Sequence, residues 1–104
     1  MKRRKNMTIN KIKEGSNLTV AIAGRLDTVT APDLEEQLNG ALDGVETLVM
    51  DLEDLDYVSS AGLRVLLSAQ KTMNKQGSMK LINVKSEIME IFDVTGFSDI
   101  LTIE

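Results

Sequence analysis

Three observations predict a single α/β domain: short apolar strand patterns alternate with amphipathic helical ones, the joints between them are short, and the chain opens on a hairpin. The 104 residues, 42% of them hydrophobic, suffice for one core and no more. No linker or low-complexity stretch divides them.

Each element follows from its residues. Residues 7–13 form a modest strand, Glu14-Gly15-Ser16-Asn17 a turn, and residues 18–23 a second strand. Thr30-Ala31-Pro32-Asp33 is a helix start with a near capping box, and proline is tolerated in the first turn. Leu34, Leu38, Ala41, Leu42 and Val45 continue that helix as an apolar stripe, with Gly44 as its stop. Residues 47–52 are a short apolar strand, and residues 51–57 an acidic connection. The second helix runs from Ser60 to about Gln76, with Leu63, Leu66, Leu67 and Met73 at helical spacing and Gly77 as its stop. Residues 79–84 are a further strand. Ser86 caps a third helix whose Ile88, Ile91, Phe92 and Thr95 recur at helical intervals up to Gly96. Residues 100–103 remain as a short last strand or an extended tail. Met50, Met73, Met79 and Met89 fall within these apolar patterns and read as core.

The chemistry concentrates where the acidic connection meets the second helix, at Ser59-Ser60-Ala61-Gly62-Leu63. A helix N-terminus offers unpaired N–H donors and about half a positive charge, which suits a hydroxyl, a phosphate or a carboxylate. Serine is also a common N-cap whose only work is to satisfy one of those donors. Gly62, lacking a side chain beside the hydroxyl, would let another backbone or a phosphate approach.

The segment DLEDLDYVSSAGL resembles the signature of the STAS domain family, specifically its stand-alone anti-sigma factor antagonists. Gly24-Arg25-Leu26-Asp27 after the hairpin and Ile91-Phe92-Asp93-Val94-Thr95-Gly96-Phe97 near the end extend the resemblance over almost the whole chain. It implies a mixed, mostly parallel sheet of four to five strands with the helices packed beside it. It further implies that Ser60 is phosphorylated by an anti-sigma factor serine kinase, that a serine phosphatase reverses this, and that the protein acts in a partner switch controlling a sigma factor. The family often has aspartate where Ser59 stands, and serine or threonine where Ala61 stands, so Ser59 is the second candidate acceptor. Asp27, Ser59, Ser60, Gly62 and Arg64 are the expected partner-binding residues. Asp27 is expected to emerge at the same sheet edge as Ser60.

Other functions find little support. The chain has no histidine and no cysteine, so no serine–histidine or cysteine–histidine pair can be assembled, and no disulfide or thiol ligand exists. Asp51, Glu53, Asp54 and Asp56 lack calcium-loop spacing, and no phosphate-binding glycine loop is present. The chain is therefore expected to be a non-enzyme with no metal and no cofactor. No apolar run approaches the ~20 residues that span a bilayer, and a cytoplasmic, membrane-independent protein is expected.

The formal net charge is −4 and Lys2, Arg3, Arg4 and Lys5 contribute four positive charges, so the remainder carries −8. An acidic body disfavours direct nucleic-acid binding and favours a partner with a basic face. Residues 1–6 are expected to be a flexible basic tail, with Met7 a plausible alternative start, and residues 7–104 the STAS domain. Two rival readings stay open: a non-switching STAS subunit of a sensory or transport assembly, and a small anion- or nucleotide-binding module.

Overall fold

A computed structural model describes residues 7–104; residues 1–6, read above as a basic tail, lie outside the described residues. The hairpin is longer than its apolar pattern, with β1 over Met7–Glu14 and β2 over Asn17–Leu26 paired antiparallel from Met7 opposite Gly24 to Glu14 opposite Asn17. Gly15 makes the turn at φ 65°, a left-handed conformation that favours glycine.

Strand β3, Thr47–Asp51, pairs parallel with β2 on one side and with β5, Ser78–Ile82, on the other. A further strand β4, Leu55–Val58, pairs parallel with the far end of β2, giving a five-stranded mixed sheet ordered β1-β2-β3-β5 with β4 beside β2. The mixed, mostly parallel sheet implied by the resemblance is therefore present. Strand β4 corrects the reading of residues 51–57 as connection alone. Its sequence Leu-Asp-Tyr-Val buries only its two ends, so it has no period-2 signal.

Alternation along the strands fixes the core. Leu18, Val20 and Ile22 of β2, Leu48 and Met50 of β3, and Met79 and Leu81 of β5 are all buried, while Thr19, Ala21, Val49, Lys80 and Ile82 between them are only half-buried. The helices thus cover one face of the sheet. Helix α2, Ser60–Gln76, lies against α1, β4 and β5, and α3, Ser86–Thr95, lies against β4. Met50, Met73 and Met79 are buried and Met89 is partly buried against the core.

Helix α1 covers only Ala31–Leu38, short of the Gly44 stop read from the stripe. Asn39 is extended, Gly40 and Gly44 adopt φ of 80° and 77°, and residues 39–44 form successive turns. Leu42 and Val45 are still buried, so the apolar stripe is real but is laid down by turns. At the other end of α2, Gly77 is extended, and a Cβ there would run into the Glu46 carbonyl, which accepts the Ser78 N–H at 2.9 Å. That close approach, and not a left-handed turn, requires glycine.

Strand β5 stops at Ile82, before Val84, because Asn83 turns the chain at φ 56°. Lys85, not Ser86, occupies the N-cap of α3, and Gly96 ends that helix at φ 83° as expected. The last residues make a 3₁₀ turn at Phe97–Asp99 and then an extended segment in which Ile103 forms a single bridge to Leu81.

Candidate functional site

The edge at the carboxyl ends of β2 and β4 is assembled by the backbone. The Ser59 N–H donates to the Leu26 carbonyl at 2.9 Å, which fastens the start of α2 to the end of β2, and Asp27 follows at once. The 24–30 and 56–62 joints therefore share one edge, as the topology predicted.

The two serines do different work. Ser59 is the N-cap of α2, extended at φ −97° and ψ 175°, and its Oγ accepts the Gly62 N–H at 3.3 Å. Ser60 is the first helical residue and is exposed. Among the described residues no acceptor serves the Ser60 and Ala61 N–H groups, and the first turn of α2 carries no acidic residue. Apart from the Ser59 cap, the positive end of the helix thus keeps unpaired donors beside an accessible hydroxyl. Ser59→Ala is expected to remove the cap at a cost of about 1 kcal/mol, lowering the melting temperature by roughly 5 °C in thermal denaturation.

Gly62 faces inward. A Cβ there would lie 2.7 Å from Leu26 Cγ, 2.9 Å from the Leu26 carbonyl and 2.9 Å from Val58 Cγ2. The space a Cβ would need is taken by this chain's own β2 and β4, so the packing of α2 itself requires glycine here, in addition to any service to a partner.

Asp27 is held by its own loop. Its Oδ1 accepts N–H groups from Val29 at 3.0 Å and Thr30 at 3.1 Å, and its Oδ2 lies 3.5 Å from Arg25 Nε. Thr30 does not cap α1 with its side chain; its buried hydroxyl donates to the Arg25 carbonyl at 2.7 Å and accepts the Asp27 N–H at 2.8 Å. The capping-box reading at Thr30 missed this loop, although Asp27 three residues before Thr30 is itself a capping pattern. Hydrogen bonding by the Thr30 N–H, supported by Val29, the Thr30 hydroxyl and Arg25, holds the Asp27 carboxyl below the usual carboxylate range. The loop is therefore fully stabilised above the ordinary carboxylate pKa and loses that support as pH falls through the lowered value. Arg25 also stacks over the Tyr57 ring at 4.3 Å from its centroid, a contact between β2 and β4 that the sequence did not disclose.

Arg64 is exposed one turn into α2 and lines a cavity of about 260 Å³ between the first turns of α1 and α2, opposite Pro32 and Glu35. The acidic run is dispersed: Asp51 Oδ1 accepts from the Glu53 N–H and the Asn83 amide, both at 3.1 Å, and Asp56 pairs with Lys85 at 2.8 Å. The hydrogen bond to Asp56 raises the Lys85 pKa. No group of three acidic side chains among the described residues is arranged to hold a metal ion, and no described helix is long and apolar enough to cross a membrane.

Comparison with known proteins agrees with this geometry. Residues 8–104 match the STAS domain. The anti-sigma-B factor antagonist of Bacillus subtilis is 34% identical over 99 residues, covering 94% of this chain and 91% of that protein. An anti-sigma factor antagonist from Mycobacterium paratuberculosis superposes with a TM-score of 0.84 at 22% identity, over 93% of this chain and 84% of that one. The antagonist SpoIIAA superposes at 16% identity over 93% of this chain, with TM-scores of 0.80 for its unphosphorylated form (88% of that chain) and 0.73 for its phosphorylated form (91%). On the match of residues 8–104 and the identity shared with the B. subtilis protein, the chain belongs to the STAS domain family.

Proposed function

We propose that this protein is a non-enzymatic anti-sigma factor antagonist that works by partner switching. In the unphosphorylated state the edge around Asp27, Ser60 and Arg64 binds an anti-sigma factor serine kinase, which then releases its sigma factor. The kinase transfers the γ-phosphoryl of ATP to Ser60 Oγ, ADP leaves, the hydroxyl proton passes to the kinase, and the partners separate. A serine phosphatase restores the first state. No cofactor, nucleic acid or membrane takes part, and the protein acts in the cytoplasm.

The observation that carries this reading is the division of labour between the two serines. Ser59 Oγ is engaged in capping, the task the family's aspartate is suited to, and Ser60 presents an exposed hydroxyl beside unpaired helix donors. The similarity to the B. subtilis anti-sigma-B factor antagonist and the existence of a phosphorylated SpoIIAA support it further.

The test is competition with purified proteins. Added to a preformed complex of sigma factor and kinase without ATP, the unphosphorylated chain is expected to free the sigma factor stoichiometrically. A chain of residues 7–104 is expected to do so equally well. Failure to displace the sigma factor from any kinase-type anti-sigma factor of the same cell would contradict the proposal.

A further inference from the structure

We propose that Arg64 is the residue that receives the phosphate on Ser60, so that modification also withdraws this guanidinium from the partner. The inference rests on the phosphorylation proposed above and specifies how it is read.

Ser60 and Arg64 stand four residues apart on α2 and both are exposed. Residues at this spacing lie one above the other on a helix, about 5–6 Å apart between Cβ atoms, within easy reach of an arginine stem. The order is the favourable one, with the anion nearer the N-terminus and the cation toward the C-terminus. The ion pairs found among the described residues are Arg25 with Asp27, Lys80 with Glu104 and Lys85 with Asp56, and none engages Arg64. Glu35 faces Arg64 across the cavity between α1 and α2 without an ion pair to it. Arg64 is thus uncommitted in the unmodified chain.

A phosphoserine carries about −1.5 to −2 charges and three strong acceptors, and a guanidinium binds such a group through two parallel N–H donors. Once Ser60 is modified, the cation one turn away on the same helix face turns back onto the phosphate. The groove at Pro32 and Glu35 then loses its positive wall and is left with Glu35. A partner carboxylate that met Arg64 before modification meets a neutralised side chain after it.

The experiment uses the full chain with phosphoserine installed at position 60 by chemical synthesis and ligation, so it does not require the kinase. The pH titration of the phosphate is followed by phosphorus NMR in the parent and in Arg64→Gln, at low and high salt. The parent is expected to titrate at a lower pH than Arg64→Gln, with the gap shrinking as salt is raised. In parallel, the ratio of partner affinities before and after phosphorylation should narrow about two- to fivefold in Arg64→Gln, the range for an exposed helical ion pair. Coincident phosphate titrations, or an affinity ratio left unchanged because Arg64→Gln weakens both states equally or neither, would overturn the inference. A parent chain whose Ser60 no kinase modifies would defeat the proposed function, and the phosphorus titrations would still decide whether Arg64 receives a phosphate placed there.

Discussion

Gly62→Leu is expected to abolish the folded state. Even a single added carbon would stand 2.9 Å from a backbone carbonyl and 2.7 Å from the Leu26 side chain, which is itself fully buried. The carbonyl cannot step aside, because it accepts the Ser59 N–H that anchors α2. Overpacking a core by a methyl group typically costs about 1–3 kcal/mol, against roughly 1 kcal/mol gained when alanine replaces glycine within a helix. Gly62→Ala should therefore fold with a lowered melting temperature. Leucine adds three further carbons to the same collision, enough to exhaust a total stability of about 5–15 kcal/mol when α2 is displaced. Circular dichroism through thermal denaturation checks both variants. A cooperative Gly62→Leu melting at the parent temperature would show that α2 does not pack on β2 and β4 this closely.

The second large effect is on binding. Phosphate on Ser60 is expected to weaken partner affinity by ten- to a hundredfold, measured by titration calorimetry on the purified modified and unmodified chains. Each unit pair of like charges ~5 Å apart at an effective dielectric of ~20 costs about 3 kcal/mol, which alone is somewhat more than a hundredfold. Ser60 is exposed, so solvent screening reduces this, and half of it still gives about tenfold. The N-terminus of α2, with no acidic residue in its first turn, stabilises the phosphate within the chain itself, which lets the modified form persist. Ser60→Ala should remain permanently competent to bind. Ser60→Asp should bind with intermediate affinity, since one carboxylate carries about half the charge of a phosphate.

Much of this architecture is legible in the sequence. Helix α2 was bounded correctly because a serine cap, a long apolar stripe and Gly77 agree on one segment. The end of α1 was not, because Ala41, Leu42 and Val45 keep helical spacing while Asn39 and Gly40 leave the helix. Strand β4 escaped notice because Asp56 and Tyr57 are both exposed between two buried residues, and its pairing with β2 supplies the order that local pattern lacks. At the site, the sequence located both serines but could not tell which one caps the helix. For a similar reason, a glycine's position in a motif does not disclose whether its bare face looks outward or toward Leu26. The loop of Arg25, Asp27 and Thr30 depends on short-range hydrogen bonds that no periodicity reports.

The most direct test is to map the modified residue. The full chain is incubated with its anti-sigma factor kinase and ATP, its intact mass is measured, and the peptide spanning the two serines is fragmented to separate Ser59 from Ser60. The account predicts one added phosphate, located on Ser60 alone, with Ser59 retained as the unmodified cap of α2. Phosphate on Ser59 would contradict the division of labour between the two hydroxyls, and the absence of phosphate from both, with a partner that binds, would contradict the switch itself.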